Sequence, residues 1–317
     1  MPSSKDSYRT LCDTEPSIPL FSQYWWLDTV CGSNRWKLIE WIDKGCIRAT
    51  FPIYVPASGI ITMPPFTQTM GPWFAPEALD TKYATSIARR QAICKDMIRS
   101  LRDYPVFMQH FHHSFTDWLP FYWEGFSQTT RYTYILEDIS DPDRLWEGMS
   151  SNIRRNINRA RFRNEISVRA GVSAEDLSRM LALTFERQHL KPKHLHVLEA
   201  LVEESRRLGR GDVWGGYDAE GILHAAAFVV WQQRTAYYIA GGSDPARRES
   251  GAHSLTLWEA IRSVAAHSKS FDFEGSMLPG VERFFREFGA VQRPYFCISR
   301  GRLSIADKIR IRLSRNE

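Results

Sequence analysis

Cysteine is scarce and unpaired in spacing. The 317 residues contain Cys12, Cys31, Cys46, Cys94 and Cys297, an odd number with no C-x-x-C among them. Neither a disulfide framework nor a zinc knuckle is indicated, and all five read as reduced structural thiols. No run reaches the roughly 18 apolar residues of a membrane helix. The N-terminal MPSSKDSYRTLCDTEPSIPL lacks the apolar core of a signal peptide, so the expectation is a soluble, cytoplasmic protein. Neither sign of charge dominates: 41 basic residues face 36 acidic ones, a net +5. That balance favours anionic partners without marking a nucleic-acid binder. His110, His112 and His113 lie close together, but no nearby acid or cysteine completes a ligand set, and no metal is expected. They read as structural or edge-strand residues.

The length suits two domains, each with its own core. Residues 1–17 read as a loose N-terminus. A first domain is expected over 18–139, with a hairpin turning at Lys44-Gly45 and a helix from Thr81 to Leu101. The segment GIITMPPFTQTMGPWFAP carries too many prolines for a central strand or a helix interior. SDPDR at 140–144 has the composition of a linker. A second domain follows over 140–299. It opens with an arginine-rich helix (LWEGMSSNIRRNINRARFR), and residues 300–317 form a basic tail. From Arg234 the order is strand (RTAYYIAGGSD), basic turn (PARRESGAHS), helix, strand (FDFEGS), helix (PGVERFFREFGA) and strand (PYFCIS). The two halves look like a degenerate repeat: 121–136 lies over 283–298 at constant offset, with Phe126/Phe288 and Arg131/Arg293 identical.

Five places can carry chemistry. A turn that opens a helix offers unpaired amides and a positive dipole end. In the turn from Pro245 to Ser254, Arg248 adds charge and Gly251 permits close backbone approach, while His253 or Ser254 can cap a helix from Leu255. Glu274 ends its strand, where open α/β sheets place ligands, and a carboxylate there can take a proton from an attacking amine. Its bland reading is a salt-bridged acid, which is also the reading for Asp272. Arg283 and Arg286 share a helix face and can grip phosphate or carboxylate. Arg154, Arg155 and Arg159, with Arg161 and Arg163, suit a polyphosphate or RNA backbone. Solvated helix faces are the plain alternative for both arginine sets. Of the adjacent Tyr237 and Tyr238 one must face the core, and the other can donate a proton.

This order of elements in both halves resembles the GNAT acyltransferase fold present twice. The arginine-rich helix and RFFREFG resemble the Fem family, aminoacyl-tRNA-dependent peptidyltransferases that extend the peptidoglycan bridge, and the FemAB-like acetyltransferases. The resemblance spans about residues 20–300. It implies a mixed α/β fold of two tandem GNAT-like domains facing each other across a cleft. In the Q/R-x-x-G-x-G/A turn that grips coenzyme A, Arg248 and Gly251 fill the first and fourth places, Ala252 the fifth and His253 the last. In the Fem pattern R-F-K-K-G-F-G, Arg283, Phe284, Phe288 and Gly289 match, while Phe285 and Arg286 replace the lysines. The long helical arm of some Fem proteins is absent.

The resemblance implies an acyl-group transferase acting on an amine, with Glu274 as base and Tyr238 as proton donor. Backbone amides after Ile239 would polarise the carbonyl. Arg248, Gly251, Ala252, His253 and Ser254 would hold the donor, acyl-CoA (acetyl-CoA) or aminoacyl-tRNA. Arg154, Arg155, Arg159, Arg283 and Arg286 would hold an anionic acceptor or tRNA. The implied acceptor is an amino-sugar or peptide-linked precursor of the envelope or a surface polysaccharide. The alternative is a non-catalytic pseudoenzyme that binds a nucleotide-linked glycan or RNA.

Overall fold

The N-terminal stretch read as loose begins with a helix, α1 (Ser4–Thr14). Tyr8 and Cys12 stand one turn apart on it, and both are buried. The Tyr8 hydroxyl donates to the Ser22 carbonyl. Two apolar positions dock an otherwise polar segment, too few for periodicity to reveal.

The computed structural model describes residues 4–187, 189–232 and 234–313. After α1 come α2 (Tyr24–Cys31), β1 (Trp36–Asp43), β2 (Cys46–Ala57), β3 (Ile60–Thr62), β4 (Trp73–Phe74), α3 (Tyr83–Arg99), β5 (Val106–Phe111), α4 (Leu119–Trp123) and β6 (Ser127–Leu136). Next are α5 (Pro142–Gly148), α6 (Ser151–Asn158), β7 (Ser167–Ala170), α7 (Ala174–Arg187), α8 (Leu195–Arg207), β8 (Gly211–Tyr217) and β9 (Leu223–Gln232). They are followed by β10 (Thr235–Ser243), α9 (Ala252–Val264), β11 (Ser270–Asp272), α10 (Pro279–Glu287), β12 (Val291–Arg300) and α11 (Ile305–Leu313). The basic tail thus begins at the end of β12 and is helical over Ile305–Leu313.

The chain folds as two units: unit 1 holds Met1–Arg131 and Pro294–Glu317, unit 2 holds Tyr132–Arg293. In unit 1 the strand order is β1-β2-β3-β5-β12 with β4 beside β2; β3 and β5 are parallel, and β1–β2, β2–β3, β2–β4 and β5–β12 are antiparallel. In unit 2 the order is β6-β11-β10-β9-β8-β7; β10 and β11 are parallel, and β6–β11, β10–β9, β9–β8 and β8–β7 are antiparallel. Each parallel pair needs a crossover helix, supplied by α3 and α9.

The division cuts through β6 and β12 instead of falling at 139/140 and 299/300. The end of β12 pairs with β5 (Phe296 opposite Phe111), and the end of β6 pairs with β11 (Leu136 opposite Phe271). SDPDR is no linker: the Asp141 carboxylate accepts the amides of Asp143 and Arg144, both at 3.1 Å, and caps α5. β3, inside the proline-rich segment, is an inner strand because its three residues precede the first proline. β5, which carries His110, is also an inner strand, so His110 is not an edge residue.

The repeat read from the letters is a repeat of elements. β1-β2-β3-α3-β5-α4-β6 recurs as β8-β9-β10-α9-β11-α10-β12, and the aligned Phe126 and Phe288 are each buried before the last strand. Unit 1 has an aromatic core, with Phe111 and Phe121 edge-to-face at 5.0 Å and Phe107 and Phe126 at 5.4 Å. In unit 2, β9 is buried along almost its whole length, as a strand covered on both faces must be. Ala225, Ala227 and Val229 meet Leu257 and Ile261 of α9 in one core cluster. α7 approaches β10 so closely at Gly242 that a Cβ there would stand 2.2 Å from the Met180 carbonyl oxygen.

Candidate active site

β10 and β11 lie side by side for only three residue pairs, from Thr235–Ser270 to Tyr237–Asp272. β11 then ends. β10 runs on against β9 alone, and its register slips at Ile239, between Tyr238 and Ala240. A bulge bends a strand and raises its twist. From Ile239 onward, the edge of β10 away from β9 has no strand partner among the described residues.

Glu274 stands two residues beyond β11 with φ 65, a left-handed backbone. That conformation costs a non-glycine residue about 1–2 kcal/mol. Two contacts hold it. The Glu274 amide donates to Asp272 Oδ1 at 2.8 Å. Gly275 (φ 60) lies so close to the Tyr132 carbonyl oxygen that a Cβ would stand 2.0 Å from it. The Glu274 Oε1 atom is sealed from solvent and has no hydrogen-bond partner among the described residues. Beside it Asp272 is buried and accepts the Thr133 hydroxyl. Burial pushes the Asp272 carboxyl up to about 6. Burial, and then the charge of Asp272, holds Glu274 well above the usual carboxylate range. The Tyr237 phenol is raised by burial and by both carboxylates. Phe271 and Phe273 are buried on the core side as alternation requires, but a turn, not a continuing strand, brings Glu274 beside Asp272.

Tyr238 is buried, and burial raises its phenol. Its hydroxyl lies 3.2 Å from His253 Nε2. Gly241 makes room for it, since a Cβ there would stand 2.1 Å from that hydroxyl. Burial, and then the charge of Arg187, lowers His253 to about 4, so the ring is neutral near pH 7. The His253 ring packs 5.3 Å from Phe284. It points inward and does not crowd the turn that carries it.

The turn differs from its sequence reading. α9 starts at Ala252, with Gly251 (φ 77) as its cap, rather than at Leu255. The space left by Gly251 receives a protein atom: a Cβ would stand 2.4 Å from the Asn156 carbonyl oxygen. The Ala252 amide donates to Ser250 Oγ at 3.2 Å, and the Ser254 amide to the Gly251 carbonyl at 3.1 Å. Ala252 and Ser254 are buried. Of the five residues expected to hold a donor, Arg248 alone presents an exposed charge.

The arginine-rich helix is broken. Ser150 caps α6 by accepting the Ile153 amide at 3.2 Å, and residues 159–163 widen into a π-turn. The same helix is seated on the turn, because Asn156 meets Gly251 and Asn164 Nδ2 donates to the Ser250 carbonyl at 3.0 Å. Arg155 is exposed and Arg154 half-buried, and neither is ion-paired with any described residue. Arg159 donates to Asn156 Oδ1 at 3.1 Å, while its buried Nε has no partner among the described residues. Arg161 pairs with Glu259. Arg283 and Arg286 are not free for a substrate: they pair with Glu287 and Glu282, each at 2.8 Å and four residues away. That spacing was visible in the sequence. Thr133 carried no sequence signal, since it reaches Asp272 from a strand 139 residues earlier.

Among the described residues no group of three or more His, Cys, Asp or Glu is placed to hold a metal ion. No described helix is long and apolar enough to cross a membrane.

Residues 148–286 match the family model for the acetyltransferase (GNAT) domain. No curated protein matches the sequence. Several solved structures match along almost the whole chain. FemX is 12% identical with TM-score 0.67, over 93% of this chain and 96% of that one. L-PGS from Bacillus licheniformis is 10% identical with TM-score 0.55, over 99% and 96%. A tandem GNAT protein from the clavulanic acid biosynthesis pathway is 10% identical with TM-score 0.51, over 94% and 95%. At these identities the likeness establishes the fold alone: the chain has the tandem GNAT fold and is similar in structure to FemX.

Proposed function

We propose that the chain is an N-acyltransferase that moves an acyl or aminoacyl group from an activated donor to an amine. The observation that supports this most is Glu274, a strained carboxyl beside Asp272 where β10 and β11 part, with a buried Oε1 that has no hydrogen-bond partner among the described residues. The acceptor amine attacks the donor carbonyl, and amides on the free edge of β10 after Ile239 stabilise the oxyanion. Glu274, in its ionised form, takes the amine proton. The carbon–sulfur or carbon–oxygen bond to the donor breaks, and that proton passes to the leaving group, with Tyr238 as a hydrogen-bond donor near it. A raised pKa suits this base, because it brings the carboxyl closer to an amine.

The GNAT domain over 148–286 supports acyl-CoA as donor. Arg248, with Arg154, Arg155 and Arg159 from the helix seated on its turn, is the set we assign to the donor's phosphates. A second reading, aminoacyl-tRNA, is favoured by one observation: the Ala252 and Ser254 amides are already engaged, leaving arginines rather than a backbone cradle. The acceptor we propose is an amino-sugar or peptide-linked precursor of the envelope or a surface polysaccharide.

The test has two steps. Acetyl-CoA and an aminoacyl-tRNA are titrated by calorimetry into the protein and into R248A. Transfer is then measured to glucosamine 6-phosphate and to a lysine-ended tetrapeptide. Saturable donor binding weakened in R248A, with transfer lowered about 10²–10⁴-fold in E274Q, supports the reading. Transfer at the normal rate in E274Q removes the base, and donor binding without turnover leaves a non-catalytic binder.

A further inference from the structure

One face of α3 builds a cavity inside unit 1. Tyr83, Ser86, Ile87, Arg90, Gln91 and Cys94 recur at three- and four-residue intervals and so form a single stripe. All six line a cavity of about 320 Å³. The wall opposite comes from Pro72 to Phe74 and from Ser114 to Asp117. Its apolar part includes Phe74 and Phe115, stacked with centroids 6.4 Å apart.

Two opposite charges line this cavity without pairing. The Arg90 guanidinium lies over the Phe74 ring, 5.6 Å from its centroid, and has no carboxylate partner among the described residues. The Asp117 carboxylate accepts Gln91 Nε2 at 2.8 Å and the Leu119 amide at 3.1 Å. Those bonds fix its orientation and leave part of its capacity of about four acceptor sites unused. Asp117 has no cationic partner among the described residues. A guanidinium and a carboxylate that share a cavity without neutralising each other complement a ligand carrying the inverse pair. The volume lies at the small end of the roughly 300–1,000 Å³ of ligand pockets, which suits a molecule of amino-acid size.

We infer that this cavity binds a zwitterionic small molecule of amino-acid type with an apolar side chain. Its carboxylate sits on Arg90, its ammonium on Asp117 and its side chain against Phe74 and Phe115. The site is independent of the transfer chemistry proposed for unit 2.

The test is calorimetry on the full chain with L-phenylalanine, 3-phenylpropionate, which lacks the ammonium, and phenethylamine, which lacks the carboxylate. Phenylalanine is expected to bind at least about tenfold more tightly than either truncated probe. R90A erases its advantage over phenethylamine only, and D117N erases its advantage over phenylpropionate only. Arg90 is exposed, and an asparagine at 117 still accepts the Leu119 amide, so both variants should keep the wild-type melting temperature. S86W, which fills the cavity from the helix, abolishes binding. The inference fails if no probe binds at millimolar concentration, if phenylpropionate matches phenylalanine, or if the phenylalanine advantage survives in both charge variants.

Discussion

A carboxyl whose pKa is raised in the folded protein binds its proton more tightly there than in the unfolded chain. Its contribution to stability is therefore full at low pH and is lost as pH rises through the folded value. Asp272 and Glu274 are both shifted upward by burial, so the stability these two groups contribute should be withdrawn as pH rises from about 4. E274Q removes one of the two groups and keeps the shape. It should melt with the wild type at pH 4, and it should be the more stable of the two at pH 8. Thermal melts at both pH values check this, and a variant no more stable at pH 8 would show that Glu274 ionises freely. The same residue should fail in catalysis, so its gain in stability and loss of rate separate function from folding. R283A offers the contrast. Its pair with Glu287 lies on the surface, 69% and 14% exposed, so the cost should stay within about 0.5 kcal/mol in urea unfolding, with donor binding unchanged. At this scale the sequence was informative where the signal is local. Glu274 and Arg248 were read as a strand-end acid and a turn cation, whereas Arg283 was read as free for a substrate although its four-residue spacing to Glu287 carried the pairing. The buried partner Thr133 and the inward turn of His253 depend on strands and helices far apart in sequence, so no spacing rule reaches them.

Gly251 shows how an element can mislead at the level of a motif. A glycine opening a helix after a basic turn resembles a phosphate cradle, yet here the space it frees admits the backbone of α6. Packing of α6 on α9 and an anion site make the same demand on a sequence, a residue without a Cβ. The consequence is measurable. G251A places a side chain 2.4 Å from the Asn156 carbonyl oxygen at φ 77, and both the contact and the backbone oppose it. It should destabilise unit 2 by about 1–3 kcal/mol in denaturant unfolding. An unchanged midpoint would mean that α6 is not seated on the turn. α1 misleads in the opposite direction, since Tyr8 and Cys12 anchor a helix that composition alone describes as loose. Elements with full periodic stripes, such as α3 and the β1–β2 hairpin, were read correctly. Two-residue anchors and the three-residue strand β3 were not, and β11, read as a strand over FDFEGS, ends at Asp272, because a strand that short takes its limits from its neighbours.

The division of the chain follows from its two late strands. Each repeat ends in a strand, β6 or β12, whose final residues add to the sheet of the other unit. A boundary of this kind leaves no linker composition, which is why the chain was expected to part at SDPDR instead of within β6. It also makes the far end of the sequence part of the first fold. The end of β12 covers one edge of β5, and Arg300 donates to the Leu101 and Tyr104 carbonyls at 2.7 and 3.1 Å. Removing residues 294–317 would open that edge and leave a row of unpaired backbone groups on β5. Amide hydrogen exchange should then speed up in β3 and β5 by tenfold or more, about 1.4 kcal/mol of local stability. β8, β9 and β10, which draw no partner from the removed segment, should exchange at their former rates. Uniform acceleration across both sheets would mean that the two units unfold as one body, and slow exchange in β5 would mean that β12 adds nothing to it. The selective result would show that a strand read as the close of the second repeat serves the stability of the first.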